Sequence, residues 1–546
     1  VRKARIFAEN DPLRRSGGAG YKGGMTPKAL FEQAVGAHRG GDLARAEQLY
    51  RQLLQIAPAS YAGLHMLGVL RAQQGDPEEA LALIGHALAQ QPGAADALFN
   101  RGRILKGMGR LDEALASYDR ALAARPDYDT ARIARAEARN LHGITLQQAG
   151  RYAEAVAAYD GALADAPGYG DAINNRAVTL FAMGRLEEAL AGFDHALRVK
   201  PDYVEGHFNR GNVLRDMLRL DEAVQSFDRA IALDPGFAPA WRNKAFVALM
   251  RGDFAQGFAL CEWRKKLTPP IEARNYARPL WTGVQDIAGK TLFLYIEQGL
   301  GDTIQFYRFV TPLLTRGARV ILAVQDGMQA LMATATPQVE LIGSRAVPDN
   351  FDYHIPLMSL PLALGLTPDD IAAAVPYLRA EPQRVAHWRE RMGDKGFKIG
   401  ISWQGARGGV TSRAMPLSSF AGLAALPGVR LISLQKGFGT EQLADVPGVE
   451  SLGEDFDNGP GAFLDSAAVM ESLDFVITLD SALAHLAGAL NRPVWVALKQ
   501  VPDWRWFLGR DYSPWYPGMR LFRQTREGDW HGVFAAMEKT LAGMLR

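Results

Sequence analysis

Seven prolines punctuate the first half of the chain at Pro58, Pro92, Pro126, Pro167, Pro201, Pro235 and Pro269. The interval from Pro58 to Pro92 recurs in five of the six cases, and only that from Pro126 to Pro167 is longer. A unit of that length is one supersecondary element. It cannot bury an apolar face alone and must stack on its neighbours. The expectation is a helical solenoid with a concave groove, and such grooves take peptides and proteins as partners.

Aligning the units on their prolines brings three further registers into line. Ala46, Ala80, Ala114, Ala155, Ala189 and Ala223 lie twelve before a proline. Tyr50, Tyr118, Tyr159, Phe193 and Phe227 lie eight before, and Ala87, Ala121, Ala162, Ala196 and Ala230 lie five before. Alanines let helices of adjacent units approach, and the aromatic rings fill what remains. Each proline ends a second helix, because it has no N–H to donate to the carbonyl four residues back. The pattern resembles the tetratricopeptide repeat and predicts about seven units over residues 26–270. The seventh carries Gly257, Cys261 and Arg264 at the register positions, as a degenerate end unit would. The longer interval holds seven extra residues near 130–143. Seven is close to two helical turns, so one lengthened first helix is expected. Asn100, Asn175, Asn209 and Asn243 share one register, twenty-six before a proline. In tetratricopeptide arrays that place faces the groove, and an amide can both donate to and accept from a peptide backbone. These four are candidate acceptor-binding residues. The alternative is that they stitch neighbouring helices together.

The chain has 546 residues and a net charge of +2. That balance gives no reason to expect a nucleic-acid partner. The single cysteine, Cys261, rules out an internal disulfide and fits a reducing compartment. No apolar run is long enough to span a membrane. Residues 1–25 are basic, lack a signal-peptide core and read as a disordered leader, with Met25 as a candidate start. A cytoplasmic location is expected.

Past residue 281 the texture changes. Short β-branched runs at 291–296, 319–324, 339–344, 398–403, 429–435, 474–480 and 493–498 alternate with helical stretches. This alternation predicts parallel sheets covered on both faces. Residues 380–397 divide the runs into two groups, which suggests two lobes, 285–380 and 395–546, joined by a linker. Ligands bind such sheets outside the carboxyl ends of the strands. Three segments sit there: EQGLGD with Gly299, Gly301 and Asp302, the glycine-rich loop with Gln404 and Arg413, and the segment opened by Asp480, Ser481 and His485. Glycines let backbone approach a ligand, and a hydroxyl at a helix N-terminus with an arginine beside it suits phosphate. Lys436 is a further cation on a neighbouring loop. Asp455 and Asp457 form an Asp-x-Asp pair, read as solvated rather than metal-binding. Trp504, Trp506, Trp515 and Tyr516 are assigned to packing between the lobes.

These residues resemble a family. Gly301–Asp302 after the first strand, Arg413 before Pro416, and Asp480, Ser481, His485, Leu486, Pro493 and Val494 are similar to motifs of GT-B glycosyltransferases of the heptosyltransferase type. The resemblance covers about residues 285–530. It departs from the family in a short first lobe and in an arginine where the family has lysine. The fusion to repeats resembles bacterial protein glycosyltransferases, including those acting on flagellin, and the layout of O-GlcNAc transferases. The resemblance implies an α plus α/β chain, with a repeat superhelix followed by two Rossmann-like lobes. It implies transfer of a sugar from a nucleotide sugar to a protein recruited by the repeats, with no cofactor and no metal. Asp302 is then the general base and Arg413 the phosphate ligand. Gly299, Gly301, Gln404, Lys436, Asp480, Ser481 and His485 contact the donor. The final helix, 531–545, is expected to cross back to the first lobe. Alternatives are a transferase acting on lipopolysaccharide or another surface glycan, and a non-catalytic scaffold.

Overall fold

The computed structural model describes residues 25–267, 274, 276–372, 375–405 and 414–546. Residues 1–24 of the expected leader, and Arg413, lie outside the described residues. The chain divides into two compact units, with the break between Val213 and Leu214.

In the first unit every second helix stops two residues before its proline. Examples are Leu43–Ile56, Pro77–Gln90, Leu111–Ala124 and Tyr152–Asp165, each of 14 residues. The first helices Tyr61–Gln73, Ala95–Gly107 and Gly170–Ala182 have 13 residues. Asp129–Gln148 has 20, so the seven inserted residues do lengthen one first helix. The register alanines and rings are buried: Ala46, Ala80, Ala114, Ala155, Tyr50, Tyr118 and Tyr159 are all fully enclosed. Glycines on the first helices make room for the rings. A Cβ at Gly143 would fall 2.5 Å from the Tyr159 ring, and one at Gly102 would fall 2.7 Å from that of Tyr118.

The turn inside each unit needs a left-handed residue, which glycine adopts without strain. Gly41, Gly75, Gly109, Gly150 and Gly184 take it in the first unit. In the second, Leu218 occupies the corresponding place at φ 58° and packs against the core of that unit.

The second unit begins with the last repeats, through Leu220–Leu233, Ala238–Met250 and Phe254–Cys261. Two sheets follow. The first has β1 (Thr291–Tyr295), β2 (Arg319–Val324), β3 (Glu340–Gly343) and β4 (Tyr353–Pro356), all parallel, in the order β3-β2-β1-β4. The second has β5 (Phe397–Ile401), β6 (Val429–Ser433), β7 (Val449–Glu450), β8 (Phe475–Leu479), β9 (Val494–Leu498), β10 (Tyr512–Ser513) and β11 (Tyr516–Arg523). Its order is β10-β11-β9-β8-β5-β6-β7, parallel throughout except at the β10–β11 hairpin. Strands β1, β8 and β9 are apolar along nearly their whole length because both faces are covered.

Several expectations change. Strands β4, β7, β10 and β11 are not among the apolar runs of the sequence, the last because its arginines, proline and glycine break the pattern. The expected linker holds a helix, Pro382–Met392, whose buried Trp388 donates from Nε1 to Asp465 Oδ1 at 2.9 Å. The final helix, Trp530–Met544, does not cross back to the first sheet. Its face of Val533, Phe534, Met537 and Leu541 completes the core of the second sheet with Phe420 and Trp495. Among the described residues no helix is long and apolar enough to cross a membrane.

Candidate functional site

Both sheets reverse their strand order once, and the candidate residues fall at those reversals. In the first sheet β1 has β2 on one side and β4 on the other, and Gly299–Asp302 follow β1. In the second the reversal lies between β5 and β8, where Gln404 and Asp480–Ser481 follow. A crevice opens outside the carboxyl ends of the strands at such a point.

Gly299 is the N-cap of helix Leu300–Tyr307, and Asp302 reaches back so that its Oδ2 accepts from Gly299 N at 3.0 Å. Across the seam, Ser481 opens helix Ala482–Ala489. Its side chain makes no cap bond to the first turn, and its Oγ lies 3.1 Å from Thr478 Oγ1. The two helices pack together at their starts. A Cβ at Gly301 would come within 3.1 Å of His485 Cδ2 and 3.4 Å of Ala482 Cα, so glycine there is what lets the two strand ends meet.

Arg505, set among the tryptophans and without a sequence signal of its own, ties this seam. It is 8% exposed. Its Nη2 pairs with Asp302 Oδ1, its Nε donates to Gln305 Oε1 at 2.7 Å, and its Nη1 donates to Asp503 Oδ1 at 2.8 Å. Burial alone would favour losing its proton, but Asp503, Asp302 and Asp480 outweigh that and hold its pKa above the usual arginine value. One buried cation thus faces carboxylates from both sides of the seam. Asp302 keeps unused lone-pair directions, since a carboxylate has about four, and its side chain remains 21% exposed.

Arg308, also absent from the sequence-derived candidates, is buried beside it. It donates to the carbonyls of Ile371 at 3.0 Å and Trp515 at 2.8 Å, and to Tyr377 Oη at 3.2 Å. Gln305 and Arg308 lie three and six residues past Asp302, on one helical face, and that spacing is visible in the sequence. The pairing with Arg505, far along the chain, is not.

Other candidates come out differently. His485 is 4% exposed, stacked on Trp506 at 5.3 Å, with Nδ1 3.0 Å from Tyr516 Oη. A ring so covered cannot contact a donor, and its role is corrected to holding the seam. Lys436 is exposed, and its ammonium donates to the carbonyls of Phe456, at 3.0 Å, and Asp457. Gln404 is half-buried, and its N donates to Gln435 Oε1 at 3.1 Å. That oxygen also accepts from Trp403 N and Ser402 Oγ, so Gln435 shapes the loop. Asp480 is half-buried at the end of β8. The tryptophans do pack: Trp504, Trp506 and Trp515 are buried in the core.

Asp455 pairs with Arg391, whereas Asp457 is half-buried. Its Oδ1 accepts from Asp465 N at 2.8 Å and its Oδ2 from Ser466 Oγ at 2.5 Å, which caps helix Leu464–Met470. The reading of Asp457 as solvated is therefore corrected.

The N-terminal part carries tetratricopeptide repeats. Models of that repeat match residues 65–129, 102–143, 146–207 and 204–237. Protein FlbA of Caulobacter vibrioides is 28% identical over 330 residues, which is 55% of this chain and 54% of FlbA. The cellulose synthase operon protein C of Xanthomonas axonopodis pv. citri is 40% identical over 126 residues, 22% of this chain and 8% of that protein. The chain thus spans about half the length of FlbA and a small part of the other relative. Among solved structures, YrrB, described as a TPR protein with an unusual peptide-binding site, is 19% identical, covers 36% of this chain and 97% of its own, and has a TM-score of 0.29.

Within the repeats the asparagine register is already in use. Asn100 Nδ2 lies 2.9 Å from His65 Nε2, and Asn175 Nδ2 donates to Asn140 Oδ1 at 3.0 Å. Asn209 is half-buried and Asn243 is buried. Asn100 and Asn175 therefore join first helices of neighbouring units, as the stitching alternative has it.

Proposed function

We propose that residues 285–546 form a GT-B glycosyltransferase of two Rossmann-like lobes, and that the repeats recruit a protein acceptor, with flagellin one candidate. The observation that carries this reading is the seam. Gly301 and Asp302, at the reversal of the first sheet, lie against the helix that Ser481 opens at the reversal of the second. Acceptor and donor would meet there.

In the reaction, the acceptor hydroxyl oxygen bonds to the anomeric carbon and its proton passes to the Asp302 carboxylate. The bond from that carbon to the donor's phosphate oxygen breaks, and the nucleoside diphosphate leaves with the electron pair. The uncapped first turn after Ser481 offers N–H groups to that charge, and Arg413 keeps the phosphate-facing role that the resemblance implies. Asp480, an anion, would face sugar hydroxyls rather than phosphate. Arg505 orients Asp302 through its paired Nη2. The pairing of Asp302 with Arg505 and Gly299 also favours a second reading, in which Asp302 is structural and the chain is a scaffold.

Asp302→Asn separates the two. The amide retains the cap but has no basic lone pair. Turnover should fall by about 10²–10⁴-fold with donor binding kept. Near wild-type turnover in this variant leaves Asp302 a cap. Absence of nucleotide-sugar binding by calorimetry to the wild-type chain leaves the scaffold.

A further inference from the structure

We propose that the last repeat belongs to the catalytic unit, with Arg264 as the positioning residue of the loop that carries Asp302; the catalytic part of this rests on the transferase reading above. The division of the chain already points this way, since the break falls at Val213, well inside the repeats. Phe254 of the last repeat stacks on Phe507 at 6.0 Å and on Trp515 at 5.7 Å. Phe507 stands two residues past Arg505, and Trp515 donates from Nε1 to Arg505 O at 2.8 Å.

Arg264 makes the polar half of the junction. It is 3% exposed, and the Glu297 side chain only 1%. Its Nη2 and Nε donate to the two oxygens of Glu297 at 2.6 and 3.2 Å. Nη1 donates to Glu262 Oε1 at 2.6 Å and to Cys261 O at 3.2 Å. Nη2 also reaches Ser359 Oγ at 2.8 Å, and that hydroxyl donates to Glu262 at 2.7 Å.

Glu297 is the second residue past β1 and stands two before the N-cap Gly299. From the other side the same loop is held by its own sheet. Gln325 Nε2 donates to Gln298 O at 3.1 Å, and Thr303 Oγ1 donates to Gln325 Oε1 at 3.0 Å. The loop is thus clamped between the end of β2 and a guanidinium from the repeats. A forked, two-bond grip fixes the direction of Glu297, not merely its charge. Without Arg264 a buried carboxylate loses the cation that hydrogen-bonds both its oxygens, and the backbone must shift to reach water. A displacement of about 1 Å at a reacting group can cost roughly 10²-fold. The register that marks the seventh unit as degenerate is, on this view, where the array gives up repeat packing to hold a catalytic loop.

The test uses the full chain with Arg264→Gln, Arg264→Lys and a control, Arg251→Gln, whose partner is the exposed Asp221. Hydrogen exchange is read at the amides of Gly299 and Thr303, with those of β8 and β9 as reference. Arg264→Gln should speed exchange at Gly299 and Thr303 by about tenfold or more, as loss of charged hydrogen bonds implies, and leave β8 and β9 unchanged. Arg264→Lys should recover part of the protection, and the control should be silent. With nucleotide sugar and acceptor, kcat should fall by about 10²-fold while donor Kd stays put. Wild-type exchange at Gly299 and Thr303 in folded Arg264→Gln overturns the proposal. Should that variant not fold, Arg264→Gln with Glu297→Gln removes both charges. Raised exchange in this double variant supports the role, and wild-type exchange overturns it. If the wild-type chain turns over no sugar, the transferase reading fails while the exchange result still decides what Arg264 does.

Discussion

The arginines that open the second helices of the repeats and those buried around the seam work in opposite ways. In the array, Arg110, Arg151, Arg185 and Arg219 open second helices and pair with Glu113, Glu154, Glu188 and Glu222 three residues on, all at the surface. Around the seam and at its junction with the last repeat, Arg264, Arg308 and Arg505 are buried and bind groups tens to hundreds of residues away. The first kind is local, repeated and screened by water, so each pair contributes little. The second is costly to bury and costlier to break, because removing one partner strands the other. The array therefore owes its stability to alanines and rings in register, while the seam owes its shape to a few buried cations.

The largest effect that would break this contrast is at Arg505. Arg505→Met should destabilise the chain by about 3 kcal/mol or more, since it leaves Asp302 and Asp503 without their cation. On the transferase reading it should also abolish turnover. Denaturant titration checks the first and a transfer assay the second. A stability loss as small as that of a surface arginine would mean the seam is not held by charge.

An intermediate effect is expected inside the array, where one buried titratable group does matter. Burial pushes His65 down to about 4 from its usual 6.5, and as neutral imidazole its Nε2 accepts from Asn100. The unfolded chain takes up that proton near pH 6.5 and the folded chain does not. The stability is thus fully present above pH 6.5 and is lost as pH falls towards 4, by up to about 3 kcal/mol. His65→Gln should flatten the dependence in that window. Equal slopes for the two proteins would show that His65 titrates freely.

The smallest effect sharpens the other side of the contrast. Arg185→Ala should leave the melting temperature and the helical circular dichroism unmoved, because its pair with Glu188 is exposed. A clear loss would place the exposed pairs among the supports of the array.

Much of the array is legible in the sequence, for a physical reason. Its contacts join neighbouring units, so every buried position recurs at the repeat spacing and declares itself. The lengthened helix over Asp129–Gln148 and the buried Ala114 and Tyr118 follow from counting. The groove role of the asparagines does not come through so cleanly. Register places a side chain on a face, but Asn175 finds Asn140 before it finds a ligand.

The strand runs, the glycines at the strand ends and the Asp480–Ser481 helix start are likewise sequence properties, since hydropathy period and turn chemistry are local. Only the tertiary structure decided what those ends meet. It set Gly301 against His485, withdrew His485 from the ligand contacts, and turned the last helix onto the second sheet. It also brought Arg505 to Asp302 and Arg264 to Glu297. A buried ion pair between distant segments carries no period and no spacing, because its geometry exists only once both segments have folded around it.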